Sequence, residues 1–536
     1  FHLSVCGLFE RFHSHRRWIR IAMADVVVIG SGPNGLVGAN YLADAGHRVL
    51  VLESFDSIGG ATASDRGVHP DFIHDVASTF HPLAAASPII ERLALTDFGL
   101  VRSKAPAVLG HPRGSDGWHL QVEDVAAMAE LLDVEAPGDG ARFQAMWTDW
   151  AALGADVVKA LVTPFPAAKH VRALVSDREH RRLLRTLALP LDQLVKKFRG
   201  PTLPLLLAGN AGHSDMSHRM PGSGLMGIVL TMLGHQEGFV VPRGGAQELP
   251  NSLARRLGSL GGQIRTNAHV VGIDVTNNRA AGVVLASGER IACDAVIAGV
   301  SAPSLYLDLL GRDVVPARIL RAMHTFTWDP GTVRVDWALN GPVPWQTPPN
   351  VAPGTIHLAD DFDQIRRNTD AIRAGIVPSD PFIVAGQMTT SDATRSPAGT
   401  ESLSAYTRIP QVFVADQAGQ LSGTWNNSDL AVFADRVQSR FEVLAPGFES
   451  RILARRVWGP TQLQARNANL VNGAIGGGTQ LLRNQLIFRP TLGLAGPRTP
   501  VLGVFLGSAS AHPGGGVHGG PGFAAAMAAC KHLASR

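Results

Sequence analysis

The period of apolar positions changes several times along this chain, and each change predicts a different element. Residues 26–29 (VVVI) are wholly apolar, the pattern of a parallel strand covered on both faces. A glycine-rich turn, a helical stretch and a second apolar run, VLVL at 49–52, follow directly. From about 95 to 240, amphipathic helical patterns broken by prolines predict a helical insertion. Near 240 alternation of strand and helix returns. Gly244-Gly245 marks a turn, Leu249, Leu253 and Leu257 share one helical face, and Gly261-Gly262 ends that helix. Short strands are expected near Ile264, at 270–275 and at 282–285, with Val296 and Ile297 in the last apolar run of this block. Between 306 and 455 the period becomes two. In TVRVDWAL, Val333, Val335, Trp337 and Leu339 lie on one face and Arg334 and Asp336 on the other. With TIHL, PFIVAGQM and SLSAYTRI this predicts a half-buried, antiparallel sheet, and AVFADRVQSRFEVL a helix stopped at Pro-Gly. The last block, from about 456, ends with VLGVFL, a glycine-rich loop and an alanine-rich helix.

The first turn carries chemistry. Gly30, Gly32 and Gly35 have the G-x-G-x-x-G spacing, between a strand and a helix. Gly30 permits the tight turn, Gly32 lets the backbone approach a pyrophosphate, and Gly35 lets the helix pack on the strand. The helix N-terminus then offers free N–H groups and a positive dipole to phosphate. Glu53 stands eighteen positions after Gly35, at the end of the second apolar run, where its carboxylate can accept from a ribose. Strand, turn, helix, strand and acid in register predict a bound dinucleotide, NAD(P) or FAD.

Composition bounds the rest. A chain of 536 residues is too long for one core. Charge is nearly balanced, 48 basic against 44 acidic residues, with no lysine block, so no nucleic-acid surface is expected. Cys6, Cys293 and Cys530 are far apart and form no C-x-x-C, which argues against a disulfide redox centre and for a reducing compartment. No apolar run reaches the roughly 18 residues of a membrane-spanning helix, so the protein is expected to be cytoplasmic, with room for peripheral membrane contact. Residues 1–22 are arginine- and histidine-rich with a single acid, Glu10. They are read as a non-core extension before a start at Met23; a mitochondrial presequence is the alternative.

His512-Pro513-Gly514-Gly515-Gly516-Val517-His518 lies between a strand and a helix and repeats the physics of the first turn. Its two histidines have no acidic or cysteine ligand near in sequence, and no metal is expected. The combination of VVVIGSGPNGL, Gly59-Gly60, VPRGGAQELPNSLARRL and GSASAHPGGGVHGGPGFAAA resembles the carotenoid and retinoid oxidoreductases, the phytoene desaturase-like flavoproteins. Within them it is most similar to the group of pyridine nucleotide-disulfide oxidoreductase domain-containing protein 2, although the chain has no redox C-x-x-C.

The resemblance implies FAD. Gly30, Gly32, Pro33, Asn34 and Gly35 would hold its pyrophosphate, and Glu53, with Ser54 beside it, the adenosine ribose. Gly60 and Ala61 would lie near the phosphates, and Val270 would present its backbone to the adenine. Gly507, Ser508 and Pro513, Gly514, Gly515, Gly516 and Val517 would line the ribityl chain and the flavin ring. Ala61 is a departure, since family members often carry arginine there. The implied fold is α/β: a discontinuous Rossmann-like FAD-binding domain (23–95, 240–305 and 456–536) with an inserted α+β substrate domain (96–239 and 306–455) of mixed sheet and helices. The implied function is hydride or electron transfer between flavin and an apolar small molecule, of the carbon–carbon desaturation or saturation type. The alternatives are a flavin-free carrier of an isoprenoid or lipidated partner on the same fold and an NAD(P)-dependent dehydrogenase. Trp147, Trp150, Trp328, Trp337 and Trp345 are candidates for an apolar wall beside the ring, or ordinary core. His74, His81 and His512 are candidates for proton transfer, and no residue stands out as a general base.

Overall fold

The computed structural model describes residues 24–163 and 178–535, the side chains of 178–182 apart; the extension at 1–22 lies outside them. Two seven-stranded sheets organise the chain. The strands in chain order are β1 (Ala24–Ile29), β2 (Val49–Leu52), β3 (Ala107–Pro112), β4 (Trp118–Gln121), β5 (Gln263–Arg265), β6 (Val270–Thr276), β7 (Arg279–Leu285), β8 (Arg290–Ala298), β9 (Gly331–Leu339), β10 (Pro353–Leu358), β11 (Ile383–Gln387), β12 (Glu401–Ile409), β13 (Ile452–Trp458) and β14 (Val504–Leu506). Five helices matter most for the site: α1 (Pro33–Asp44), α2 (Thr202–Ala211), α3 (Ser223–Gln236), α4 (Asn427–Leu444) and α5 (Gly520–Ala534).

The first sheet runs β6-β7-β8-β1-β2-β5, with β14 also paired to β8. Around β1 the pairing is parallel, Val26 opposite Val49 and Ala295, Val28 opposite Val51 and Ile297. Strand β8 serves two roles: its start pairs antiparallel with β7 and its end parallel with β1 and β14. The apolar run at 26–29 has two buried faces to fill. Val26 and Val28 join a core with Leu36, Leu42 and Ala525, whereas Val27 and Ile29 join a second core with Leu305, Tyr306 and Ile319. The helix with Leu249, Leu253 and Leu257 on one face spans Glu248–Ser259, and all three leucines are buried.

The second sheet runs β13-β9-β12-β11-β10-β3-β4. Its core lies against α4, where Trp337 meets Phe441 and Phe448. The sheet is mixed, as the implied fold has it, because β3 pairs with β10 in parallel, although the alternation of its strands alone suggested an antiparallel one. Two expectations change here. Residues 95–240 are not helical throughout: β3 and β4 form a hairpin around Gly114–Asp116, and the GSDG turn in the sequence is its local signal. The sheet is also not half-buried, since all nine residues of β9 are buried. Its polar face is covered by protein instead of water, and Arg334 and Asp336 satisfy each other there, Nε to Oδ1 at 2.8 Å. Alternation reports two chemically different faces, and here both are inside. No helix among the described residues is long and apolar enough to cross a membrane.

Candidate flavin site

The site begins where β1 ends. Gly30 has φ +93°, a left-handed conformation that lets the chain turn at the strand end, and its N–H donates to Leu52 O at 2.8 Å. A Cβ on Gly35 would fall 2.1 Å from Gly30 O, so only glycine lets α1 sit this close to the turn. Gly32 is the N-cap of α1 and Pro33 opens the helix. The amides of Asn34 and Gly35 lie in the first turn, ahead of Leu36, whose N–H already bonds Gly32 O at 3.0 Å. A Cβ on Gly32 would meet nothing within 4 Å, so this turn faces open space.

Glu53 closes over the same turn. Its Oε2 accepts from Ser31 N at 2.9 Å and Ser31 Oγ at 2.6 Å, and its Oε1 from Phe55 N at 3.0 Å and Ser54 Oγ at 3.1 Å. The carboxylate is thus fixed at the junction of β1 and β2. Gly60 stands above, its missing Cβ 3.2 Å from Gly32 Cα and 3.5 Å from Asn467 Nδ2.

The second glycine loop meets the first across a cavity of about 350 Å3. Gly32, Pro33, Asn34, Gly35, Ala61, Ser508, Gly515, Gly516 and Val517 line it. Gly30, Glu53, Ser54, Gly60, Val270, Gly507, Pro513 and Gly514 do not. Asn34 Oδ1 is buried in this wall without a hydrogen-bond partner among the described residues, an acceptor left for a ligand. Open first-turn amides, a fixed carboxylate, an orphan acceptor and a glycine-lined wall fit a dinucleotide that carries a flavin. Ala61 presents a methyl group where the resemblance leads one to expect arginine, and Asn467 supplies the side-chain donor beside Gly60.

Sequence reading missed the supports of this wall. Asn469 clamps the end of β8, its Oδ1 accepting from Ser301 N at 2.8 Å and its Nδ2 donating to Gly299 O at 3.0 Å. Asp329 accepts from the amides of Ile475, Gly476 and Gly478 at 3.1, 2.8 and 3.1 Å. Arg489 is buried and donates to the carbonyls of Thr479, Gly476 and Ala509, which ties loop 476–479 to the loop after β14; burial pushes its guanidinium down to about 10. The sequence signals were thin: Asp329-Pro330, one of two Asp-Pro pairs in the chain, and Asn467 and Asn469 with one residue between them.

Apolar side chains (Phe80, Leu83, Met226, Leu230, Phe239 and Val384) build another part of the wall, together with His81, His213, Arg334, Tyr406 and Arg408. None of the five candidate tryptophans lines it. Trp150, Trp337 and Trp345 are core, each indole N–H held by a glutamine, Gln236, Gln438 and Gln387, and Trp328 packs on Phe326. Of the histidine candidates only His81 lines the cavity, and burial pushes it down to about 4. His74 is buried against Trp337 O at 3.1 Å, and His512 is buried beside Arg489 and pushed down to about 4.

Comparison with known proteins gives the site its family. Residues 34–333 match the family described as flavin containing amine oxidoreductase. The chain is 26% identical to pyridine nucleotide-disulfide oxidoreductase domain-containing protein 2 of Mus musculus, over 99% of this chain and 97% of that protein. It is 25% identical to phytoene desaturase (neurosporene-forming) of Cereibacter sphaeroides, over 94% and 93%. Among solved structures, an oxidoreductase from Methanosarcina mazei has the same fold, with a TM-score of 0.57 at 16% identity over 94% of this chain and 99% of that one. The cofactor is therefore FAD, and NAD(P) as the dinucleotide is set aside. With its family match covering more than half its length, the chain belongs to the flavin containing amine oxidoreductase family and is an FAD-dependent oxidoreductase.

Proposed function

We propose that this chain oxidises or saturates a carbon–carbon bond of an apolar, polyene-like hydrocarbon. The observation that carries the reading is the continuity of one cavity: glycine turns suited to a dinucleotide share it with Phe80, Leu83, Met226, Leu230, Phe239 and Val384. An apolar chamber gains from expelling water around a hydrocarbon and offers a charged substrate little return for lost hydration. The similarity to a phytoene desaturase over nearly the whole chain supports the same substrate class.

In this reading the α1 N-terminus and the 59–61 turn hold the pyrophosphate, Glu53 the ribose, Val270 the adenine edge, and the 507–517 loop the ring. Segments 23–95, 240–305 and 456–536 form the cofactor domain and segments 96–239 and 306–455 the substrate domain, with the boundary near 456 shifted to the end of β13, which spans Ile452–Trp458. FAD, when bound, supplies the hydride acceptor; the protein excludes water and orients the chain of the substrate beside it.

The test is anaerobic mixing of the FAD-loaded protein with a panel of phytoene, shorter terpene hydrocarbons and primary amines, followed by flavin absorbance. Bleaching by a hydrocarbon and not by an amine is expected. Bleaching by amines alone would replace the proposal with amine oxidation, and a colourless protein that cannot be loaded with FAD would favour the flavin-free carrier.

A further inference from the structure

Behind the apolar wall lies a file of polar side chains that flavin binding does not use. Tyr406, on β12, is one of only three tyrosines in the chain, and its Oη lies 3.0 Å from His213 Nδ1; both side chains line the cavity. His213 Nε2 lies 3.3 Å from Nε2 of His357, on β10. The His357 ring stands edge-on to His111, on β3, with centroids 5.2 Å apart. A Cβ on Gly209 of α2 would fall 2.2 Å from His357 Nδ1 and 3.1 Å from His111 Nε2, so these two nitrogens face one point that glycine keeps clear. His111 is the register partner of His119 across β3 and β4, which places both side chains on one sheet face. His119 Nδ1 meets Thr202 Oγ1 at 2.5 Å, and Thr202 Oγ1 donates to Glu135 Oε1 at 2.9 Å. Glu135 ends the helix Val125–Glu135 with a quarter of its side chain, 25%, in solvent.

Packing alone does not explain this file. Both ring nitrogens of His111 and Nδ1 of His357 are buried without a hydrogen-bond partner among the described residues. A phenylalanine or leucine would fill such space without unpaired polar atoms. No group of three or more such side chains among the described residues is arranged to hold a metal ion. Burial holds the four rings neutral, with His213 pushed down to about 4 and His111 to about 3, His357 well below the usual imidazole range and His119 lowered. A neutral imidazole can accept a proton on one nitrogen while releasing one from the other.

We propose that Tyr406 and His213 are the proton-transferring pair of the cavity, and that His357, His111, His119, Thr202 and Glu135 carry the proton between that pair and solvent. The inference rests on the carbon–carbon chemistry proposed above. In the desaturation direction one C–H bond breaks with its electron pair, which leaves as hydride to FAD. The adjacent C–H, made acidic by the resulting cation, breaks; its electrons form the C=C bond and its proton goes to Tyr406 Oη as the tyrosine passes its own proton to His213 Nδ1. The Nε2 proton of His213 moves to Nε2 of His357. His111, whose two nitrogens are not hydrogen-bonded among the described residues, takes the Nδ1 proton of His357 and passes one to His119 by turning its ring. His119, Thr202 and Glu135 hand one proton to water. Saturation runs the same path in reverse. Thr202 donates to Glu135 and so accepts from His119, which fixes the His119 proton on Nδ1; with Tyr406 donating to Nδ1, the proton of His213 is on Nε2.

Two measurements decide the proposal. Long-range 1H–15N spectra of histidine-labelled holoenzyme at pH 7 should show neutral rings, His213 protonated on Nε2 and His119 on Nδ1, and Tyr406→Phe should shift both His213 and His357. A His213 protonated on Nδ1, or a His357 indifferent to Tyr406→Phe, overturns the relay whether or not a substrate has been found. With the hydrocarbon that bleaches the flavin, Tyr406→Phe should slow formation of the C=C product roughly 100-fold, the lower range for general acid–base catalysis. His111→Phe and the surface change Glu135→Gln, both away from the cavity wall, should lower kcat about tenfold at constant KM and raise the solvent deuterium isotope effect on kcat. An isotope effect unchanged in both variants overturns the path. If no hydrocarbon bleaches the wild-type flavin, the carbon–carbon reading has failed and the spectra alone judge the relay.

Discussion

Glu53 shows how much one residue can be asked to do. Its carboxylate accepts four hydrogen bonds from Ser31, Ser54 and Phe55, so it braces the glycine turn besides the ribose role proposed for it. Alanine at this position would confound the two roles by freeing two backbone donors. Glu53→Gln keeps the size and one acceptor but loses the charge-assisted bonds. The Kd for FAD, measured by flavin fluorescence, is expected to rise about tenfold, or about 1.4 kcal/mol. An unchanged Kd would leave Glu53 a brace of the turn only. The acid was legible from its place after a strand, because strand ends are local features. The histidine–tyrosine file was not, since His111, His119, His213, His357 and Tyr406 come from four strands and one loop and no spacing in the chain relates them.

At the scale of elements, the contact of α1 with α5 positions the cavity wall. A Cβ on Gly522 would fall 1.8 Å from Asn34 O, and one on Gly38 would fall 3.0 Å from Gly522 O. The two helices therefore meet at backbone distance, and Asn34 itself lines the cavity. Gly522→Ala must push α5 away or distort the first turn of α1. A loss of about 1–3 kcal/mol in urea unfolding is expected, as for overpacked cores, together with weaker FAD binding. Wild-type values for both would mean that the helices have room to separate. Element type was largely legible, from the 26–53 unit to β9 and α4. The polar face of β9 was misread because alternation encodes chemistry and not exposure: Arg334 and Asp336 look solvated until Arg456 and the 65–80 segment are seen packed on them.

Over the whole molecule, burial of histidines dominates the response to pH. His81, His213, His218, His512 and His518 are pushed down to about 4 and His111 to about 3, against 6.5 in the unfolded chain. Each folded-state pKa is below its unfolded value, so between about pH 6.5 and 4 the unfolded state binds more protons and stability falls with falling pH. Each ring contributes up to about 1.4 kcal/mol per pH unit inside that window. Glu401 acts oppositely: burial raises it to about 7, so its contribution is full below about 4.5 and is lost as pH rises through 7. Six rings outweigh one carboxyl, and Tm should drop steadily from pH 6.5 to 4.5. A Tm that is flat over that range would show that the histidines are not held neutral in the folded chain.

The sequence by itself determined the glycine turns of this protein and the cofactor they pointed to. Turn, helix start and acid are set by neighbours in the chain, and the two glycine loops each carry their conformation with them. The apolar and polar walls of the cavity were decided by tertiary structure. Which polar residues are buried, which tryptophans are core and which histidines meet a cavity depend on two sheets, β6 to β8 with β1 and β9 to β13 with β3, closing on each other. Desolvation and proximity, the two effects that make a side chain reactive, arise only when distant segments pack, and no local pattern records them.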